Sequence, residues 1–254
     1  MINLNNSVKF NHTGPWSERG ILLAQAGSSA YGTRMPDSDQ DYRGIFLATK
    51  EQVFGLGKCE VYTETQPNDL QMFELRHFAA LCLKGSPGQI EMLFYPEDAI
   101  VSSSDEWKKL INIRRAFLSK MLRNTLGGFA QSDLKRIAAD NTAKAGAKGK
   151  ALIEKYGYNT KHAANAYRLL KMAEILFTTG ELVVRMSQEV CDEIKAIKHG
   201  KYTKGEFMAW ITDTDAKVFR LADESCGNAK LLPEDPDFHL VEDTVISIYQ
   251  NAQY

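Results

Sequence analysis

Apolar positions along the chain change their spacing near residue 104. Before it they come in short runs punctuated by glycine, proline and acidic residues. "GILLAQAG", "DYRGIFLAT" and "LQMFEL" are each too short for a helix and rich in aliphatic and aromatic side chains, and they predict strands. "RHFAALCLKG" predicts a helix stopped at Gly85; after the turn "GSPG", a second helical start, "QIEMLFY", is stopped by Pro96. From Ser104 onward apolar residues recur three and four apart. "SDEWKKLINIRRAFLSKMLRNTLGGFAQ" predicts helix, with Ser104 as N-cap and Gly127-Gly128 as a break or a tight packing point. The small, basic stretch "NTAKAGAKGKA" predicts a loop. "NTKHAANAYRLLKMAEILFTTGE" predicts the clearest helix, capped at Asn159 or Thr160 and stopped near Gly180. Further helices are predicted over Met186 to His199 and around Phe207 to Leu221, and after the loop "LLPEDPDF" a last one covers roughly Val241 to Ala252. The pattern predicts an α+β fold of α/β type, with a first domain over residues 1–103 and a helical region over 104–254. No internal repeat interrupts it.

Composition narrows the class. A chain of 254 residues is long enough for a full hydrophobic core and two lobes, and 44% hydrophobic with 25% charged residues is ordinary for a folded domain. No apolar run approaches the roughly 18 residues of a bilayer span, and "MINLNNSVKFNH" lacks the charged start and apolar stretch of a signal peptide. A cytoplasmic protein with no membrane partner is expected. Cys59, Cys82, Cys191 and Cys226 form no CxxC pair and have no His at zinc-ligand spacing, so they predict reduced core thiols. The net charge of −1 argues against a generally basic nucleic-acid binder, yet the charge is uneven: residues 101–200 hold 18 Lys and Arg against 10 Asp and Glu. Between Lys108 and Lys161 the balance is 13 to 3. Such a segment suits a polynucleotide backbone and equally suits solvated helix faces, since no aromatic ladder accompanies it.

The chemistry is concentrated in "AGSSAYGTRMPDSDQDYRG", Ala26 to Gly44. Phosphoryl transfer assisted by a divalent metal needs carboxylates converging on the ion and an open approach for phosphates. Asp39 and Asp41, one residue apart, share a face if they lie on a strand, and Gly27, Ser28 and Ser29 offer backbone N–H groups and small hydroxyls to phosphate oxygens. Asp37 fits the same face but reads better as a turn residue after Pro36. Arg43 suits a phosphate contact or a carboxylate pair equally well. Tyr31 reads as packing for the helix after the turn, and Glu91 as a cap or a buried hydrogen-bonding group.

"GSSAYGTRMPDSDQDYRG" resembles the signature of the DNA polymerase β superfamily of nucleotidyltransferases, a Gly-Ser pair followed by Asp-x-Asp. It is more narrowly similar to a small bacterial and phage branch with a "GSxAYG…SDxDxRG" pattern, some of whose members are linked to RNA repair. "DLQMFELRHFAALCLKGSPGQIEMLFYP" and "YGYNTKHAANAYRLLKMAEILFTTGE" are similar to two further blocks of that branch, so the likeness covers most of residues 21–185. Ser86 stands where the branch has Asn before Pro87, Asn165 and Tyr167 replace residues often His and Ile, and Gln40 sits between the aspartates; none of these removes a metal ligand.

The resemblance implies a polymerase-β-like catalytic domain with a short mixed sheet, followed by helices that bind nucleotide or acceptor. It implies Mg2+ (or Mn2+) held by Asp39, Asp41 and a third carboxylate, with Gly27, Ser28 and Ser29 touching the triphosphate. Asp69, in register with the family's Asp, is preferred as that third carboxylate. Glu74, five positions on, points to the opposite face of a regular strand and suits the start of the next helix. Lys161, Asn165, Arg168 and Lys171 form a polar stripe on their helix, and within the family Lys161 and Arg168 are candidates to bind nucleotide; His162 beside the cap joins them or is structural. The function implied is transfer of a nucleoside monophosphate from an NTP to a hydroxyl, such as the 3′ end of a tRNA-like RNA, or alternatively to a protein side chain. The competing reading is a silent RNA- or partner-binding module on the same fold; two like charges kept side by side without a cation argue against it.

Overall fold

The structure, a computed structural model, describes residues 15–252 except 37, 58, 140–145 and 228–229. Asp37, the N-terminal dodecapeptide and part of the basic stretch before residue 146 therefore lie outside the described residues. Tertiary contacts divide the chain into one unit of residues 1–117 with 236–254 and a second of residues 118–235. The sequence places a boundary after Ser103. By contacts it falls after Phe117, and the last helix returns to the first unit.

The first unit runs α1 (Pro15–Glu18), β1 (Gly20–Gln25), α2 (Ser28–Tyr31), β2 (Asp41–Phe46), α3 (Lys50–Phe54), β3 (Val61–Glu64), β4 (Asp69–Glu74), α4 (Leu75–Leu83), α5 (Pro87–Ile90), β5 (Ile100–Ser103) and α6 (Asp105–Asn112). The strands form one mixed sheet in the order β3-β4-β2-β1-β5, in which only β2 and β4 run parallel. The three strands anticipated from apolar runs, β1, β2 and β4, are its centre. Their Leu22, Leu23, Ile45, Leu70 and Met72 are wholly buried, which is why the runs are legible. Edge strands β3 ("VYTE") and β5 ("IVSS") are short and largely unburied, so they carry no such signal.

The helical run from Ser104 is broken where the sequence shows no breaker. After α6 come a tight helical turn over Arg114–Phe117 and then α7 (Leu122–Ala138), the first helix of the second unit. That unit continues with α8 (Ala147–Tyr156), α9 (Thr160–Thr179), α10 (Gln188–Lys198) and α11 (Lys204–Cys226). The expected loop "NTAKAGAKGKA" thus ends inside α8. Gly127-Gly128 does not break α7. Gly127 is buried, and a Cβ there would lie 3.3 Å from Asp215 Oδ1 on α11, so this is close packing. Asn159 caps α9 by accepting from the backbone N–H groups of Lys161 and His162, and Gly180 at φ 76° ends it. Ala163, Ala166, Leu170, Ala173, Leu176 and Phe177 make α9 the centre of the helical core, where small residues admit the neighbouring helices closely. The last helix, α12 (Phe238–Asn251), belongs to the first unit. Of the four cysteines, all free, Cys82 and Cys191 are buried as expected, while Cys59 and Cys226 are partly exposed.

Candidate active site

The Gly-Ser turn and the acidic segment meet at one end of the central strands. Gly27 leaves β1 at φ 59°, ψ −134°, a conformation that a side chain resists. A Cβ at this position would lie 2.7 Å from Asp41 Oδ2. The Asp41 carboxylate therefore rests directly over the turn, and the Ala26 N–H donates to the Asp41 carbonyl at 2.8 Å, fixing the approach. Ser28 and Ser29 start the four-residue α2 beside it.

Asp41 opens β2 and is paired with Asp69, which opens the parallel strand β4. Facing residues on neighbouring strands point to the same side of the sheet, so the two carboxylates share a face. Asp39 lies before β2, exposed and outside the strand, so its placement does not follow from strand alternation as the spacing suggested. Among the described residues no three His, Cys, Asp or Glu side chains are gathered closely enough to hold a metal. An oxygen-only pair such as Asp41 and Asp69 nonetheless suits a hard divalent cation, since Mg2+ is commonly held by one or two carboxylates together with substrate phosphates.

Glu74 sits at the far end of β4, roughly 17 Å along the strand from Asp69. It is buried and fully employed. Its carboxylate caps α4 by accepting from the N–H groups of Arg76 and His77, pairs with Arg76 Nε at 3.1 Å, and accepts from the Tyr249 hydroxyl. That is the helix-starting role considered for it.

Arg43 lies two residues after Asp41, on the same face of β2. Its Nη1 donates to the Gly88 carbonyl at 3.0 Å, in space a side chain at Gly88 would fill, since a Cβ there would lie 2.8 Å away. Burial works against its charge, but Tyr95, Tyr31, Glu91 and Asp41 around it outweigh burial and hold its pKa above the usual value. Glu91 is wholly buried and accepts from the Tyr31 hydroxyl at 2.7 Å. Tyr31 and Glu91 thereby tie α2 to the chain following α5, a bond the sequence does not reveal because its partners are 60 residues apart.

In the second unit the expected basic stripe on α9 is not one solvated face. Lys161 is exposed, but Arg168 is buried with Nη2 donating to Asn165 Oδ1 at 3.1 Å, and Lys171 is paired with Glu174 at 3.0 Å. The organising group was not anticipated: Asp133 on α7, buried, receives His162 Nδ1 at 2.9 Å and Asn165 Nδ2 at 2.8 Å, with Arg136 Nη1 at 3.3 Å. The only sequence signal for it is a lone acid in a basic, amphipathic helix.

A sequence model of the family described as RlaP, RNA repair pathway DNA polymerase beta family, matches residues 4–229. A protein of Enterobacteria phage T4, described as an uncharacterized 38.9 kDa protein in the nrdC-mobD intergenic region, is 26% identical over 120 residues, or 42% of this chain and 35% of its own length. The matched part of the chain thus spans about a third of that relative. A nucleotidyltransferase-like protein from Exiguobacterium sibiricum superposes with a TM-score of 0.30 at 9% identity, over 93% of this chain and 76% of the other. Among the described residues no helix is long and apolar enough to cross a membrane.

Proposed function

Since the chain belongs to the RlaP family, the RNA repair pathway DNA polymerase beta family, we propose that it is a metal-dependent nucleotidyltransferase moving a nucleoside monophosphate from an NTP to a hydroxyl, with an RNA 3′ end as acceptor. The observation that carries this reading is the Asp41 carboxylate lying over Gly27, beside Asp69 on the parallel strand. Asp39, Asp41 and Asp69 would hold Mg2+ or Mn2+, which supplies charge neutralisation at the α-phosphate when bound. The residues of the chain do the rest. Gly27 lets the chain turn directly beneath the Asp41 carboxylate, and the Ser28 hydroxyl with the N–H groups of Ser28 and Ser29 would meet phosphate oxygens. Arg43, anchored on Gly88, holds positive charge behind the carboxylates and steadies Asp41. Lys161 on its exposed face is available to nucleotide or acceptor, whereas buried Arg168 acts through Asn165. The attacking hydroxyl forms a bond to the α-phosphorus while the bond to pyrophosphate breaks.

One observation favours a second reading, a binding module without turnover: no three metal-ligating side chains are drawn together among the described residues. The experiment is transfer of α-labelled NTPs, each separately with Mg2+ or Mn2+, to pools of total RNA and total protein, beside an Asp39→Ala, Asp41→Ala double variant. Label entering RNA and falling more than about 100-fold in the variant is expected, as for loss of groups that hold a metal. Label in protein would move the acceptor to a side chain. Binding without transfer would favour the module.

A further inference from the structure

The four-residue α2 does not hold its own geometry. Nucleating a helical turn fixes several dihedrals for a single hydrogen bond, so a lone turn is unstable in water, and α2 has no side-chain cap at Gly27. Its backbone bonds include Tyr31 N–H to the Gly27 carbonyl at 3.1 Å and Gly32 N–H to the Ser29 carbonyl at 3.4 Å. The Gly27 to Ser29 turn is therefore placed from outside, by buried Ala30 and by the Tyr31 hydroxyl, which donates to Glu91 Oε2 at 2.7 Å.

Glu91 closes α5 and opens the tight helical turn Glu91–Phe94. This stretch is stiff: Pro87 starts it, the Ser86 carbonyl accepts from the N–H groups of Gln89 at 3.2 Å and Ile90 at 3.0 Å, and Ile90, Met92 and Leu93 are buried. Those apolar neighbours already fix it in the core, and a wholly buried carboxylate adds little net stability because desolvation offsets the bonds it makes. Gly88 stands three residues before Glu91, on the same face of the helical turn. Its carbonyl accepts from Arg43 Nη1 at 3.0 Å, and its missing side chain admits the guanidinium, since a Cβ there would lie 2.8 Å from Nη1 and 3.7 Å from Nη2. Arg43 follows Asp41 by two residues on β2, and its guanidinium is within electrostatic reach of Tyr95, Tyr31 and Glu91. One short element thus grips both halves of the site, the turn through Glu91 and the Asp41 strand through Gly88.

We propose that Glu91 is a positioning residue for a nucleoside triphosphate: with Gly88 it sets the Gly27 to Ser29 turn against the strand that carries Asp41, so that turn and carboxylate meet one ligand in register. The ligand class rests on the nucleotidyltransferase reading. The tether itself is read on the ligand-free chain, and binding is read apart from transfer, so that the two stand or fall separately.

Amide hydrogen exchange over residues 27–33 without ligand, equilibrium binding of each labelled NTP with Mg2+, Mn2+ or EDTA, and transfer kinetics are measured on the full chain. Tyr31→Phe removes the tether and leaves the buried segment intact, so it decides the matter even if Glu91→Leu fails to fold. Glu91→Gln keeps an acceptor oxygen for the Tyr31 hydroxyl. Faster exchange over this stretch and NTP affinity about 10-fold weaker are expected in Tyr31→Phe and Glu91→Leu, with the double variant no weaker than either alone. Glu91→Gln recovers most of the affinity, and Tyr31→Phe melts within about 4 °C of wild type. A merely structural residue would lower the melting temperature and leave affinity where it was. Unchanged affinity in Tyr31→Phe, or losses that simply add in the double variant, overturns the proposal. NTP binding without transfer by the wild type, weakened in the variants, sinks the transferase reading and leaves Glu91 in its role, whereas transfer with a wild-type KM in Tyr31→Phe does the reverse. A wild type that binds no NTP at millimolar concentration overturns both.

Discussion

Gly27 carries two separate demands. Its φ of 59° with ψ −134° disfavours any side chain, and the space a Cβ would occupy is filled by Asp41 Oδ2 at 2.7 Å. Gly27→Ala is therefore expected to cost about 1–3 kcal/mol, read as a lowered melting temperature, and to displace the Asp41 carboxylate. If transfer is the activity, that variant loses it more steeply than it loses stability. A different residue, Glu174, gives a pH signature. Burial raises its pKa, but ion pairs with Lys217 at 2.5 Å and Lys171 at 3.0 Å outweigh burial and leave it below the ordinary value. A depressed carboxyl pKa means that the stabilisation is fully present above the unfolded-state value of about 4.3 and is lost as pH falls through the folded one. Glu174→Gln should lower the melting temperature at pH 7 and narrow its gap to wild type below about pH 4. A gap constant across that range would show that the pairs contribute nothing.

Among the elements, α12 has the largest separation between sequence and placement. Its Tyr249 accepts from the Ala48 N–H at 3.1 Å and donates to Glu74, joining the end of β2 to the β4–α4 junction across 201 and 175 residues. Burial, then the nearby Glu74 charge and hydrogen bond, push the Tyr249 hydroxyl pKa up, so it stays a donor through the accessible pH range. Tyr249→Phe leaves a buried N–H and part of a buried carboxylate without their partner. The expected cost is about 1–3 kcal/mol in denaturant unfolding, with little change in helix content. A midpoint equal to wild type would mean that water replaces the hydroxyl.

For the molecule as a whole, the division into units predicts which fragments stand alone. Residues 118–235 hold a complete helical core around α9, and that fragment is expected to melt cooperatively by circular dichroism. Residues 1–103 lack α6 and α12, which bury Trp107, Leu110 and Ile248 in the first unit. At about 1.5–3 kcal/mol for each buried large apolar side chain, the loss is comparable to the net stability of a domain. That fragment should show no cooperative transition, and a sharp transition there would place the boundary after Ser103 after all.

The sequence by itself determined the central strands, the caps and ends of α9 and the family. Buried strands must be runs of apolar residues, a helix start needs an acceptor such as Asn159, and a Gly-Ser turn before alternate aspartates is a local pattern. Strand alternation put Asp69 and Glu74 on opposite faces, and the structure adds that Glu74 caps α4. Tertiary structure alone decided the rest. Edge strands β3 and β5 exist through their neighbours' hydrogen bonds and need no apolar run. The break after α6 and the return of α12 depend on which unit offers a matching surface. Arg168 looks like a solvated cation on a helical wheel, yet α9 is covered on several sides by other helices, so the stripe is drawn inward to Asn165 and Asp133. A period of 3.6 says which residues share a face, and only the packing of the neighbouring helices says whether that face meets water.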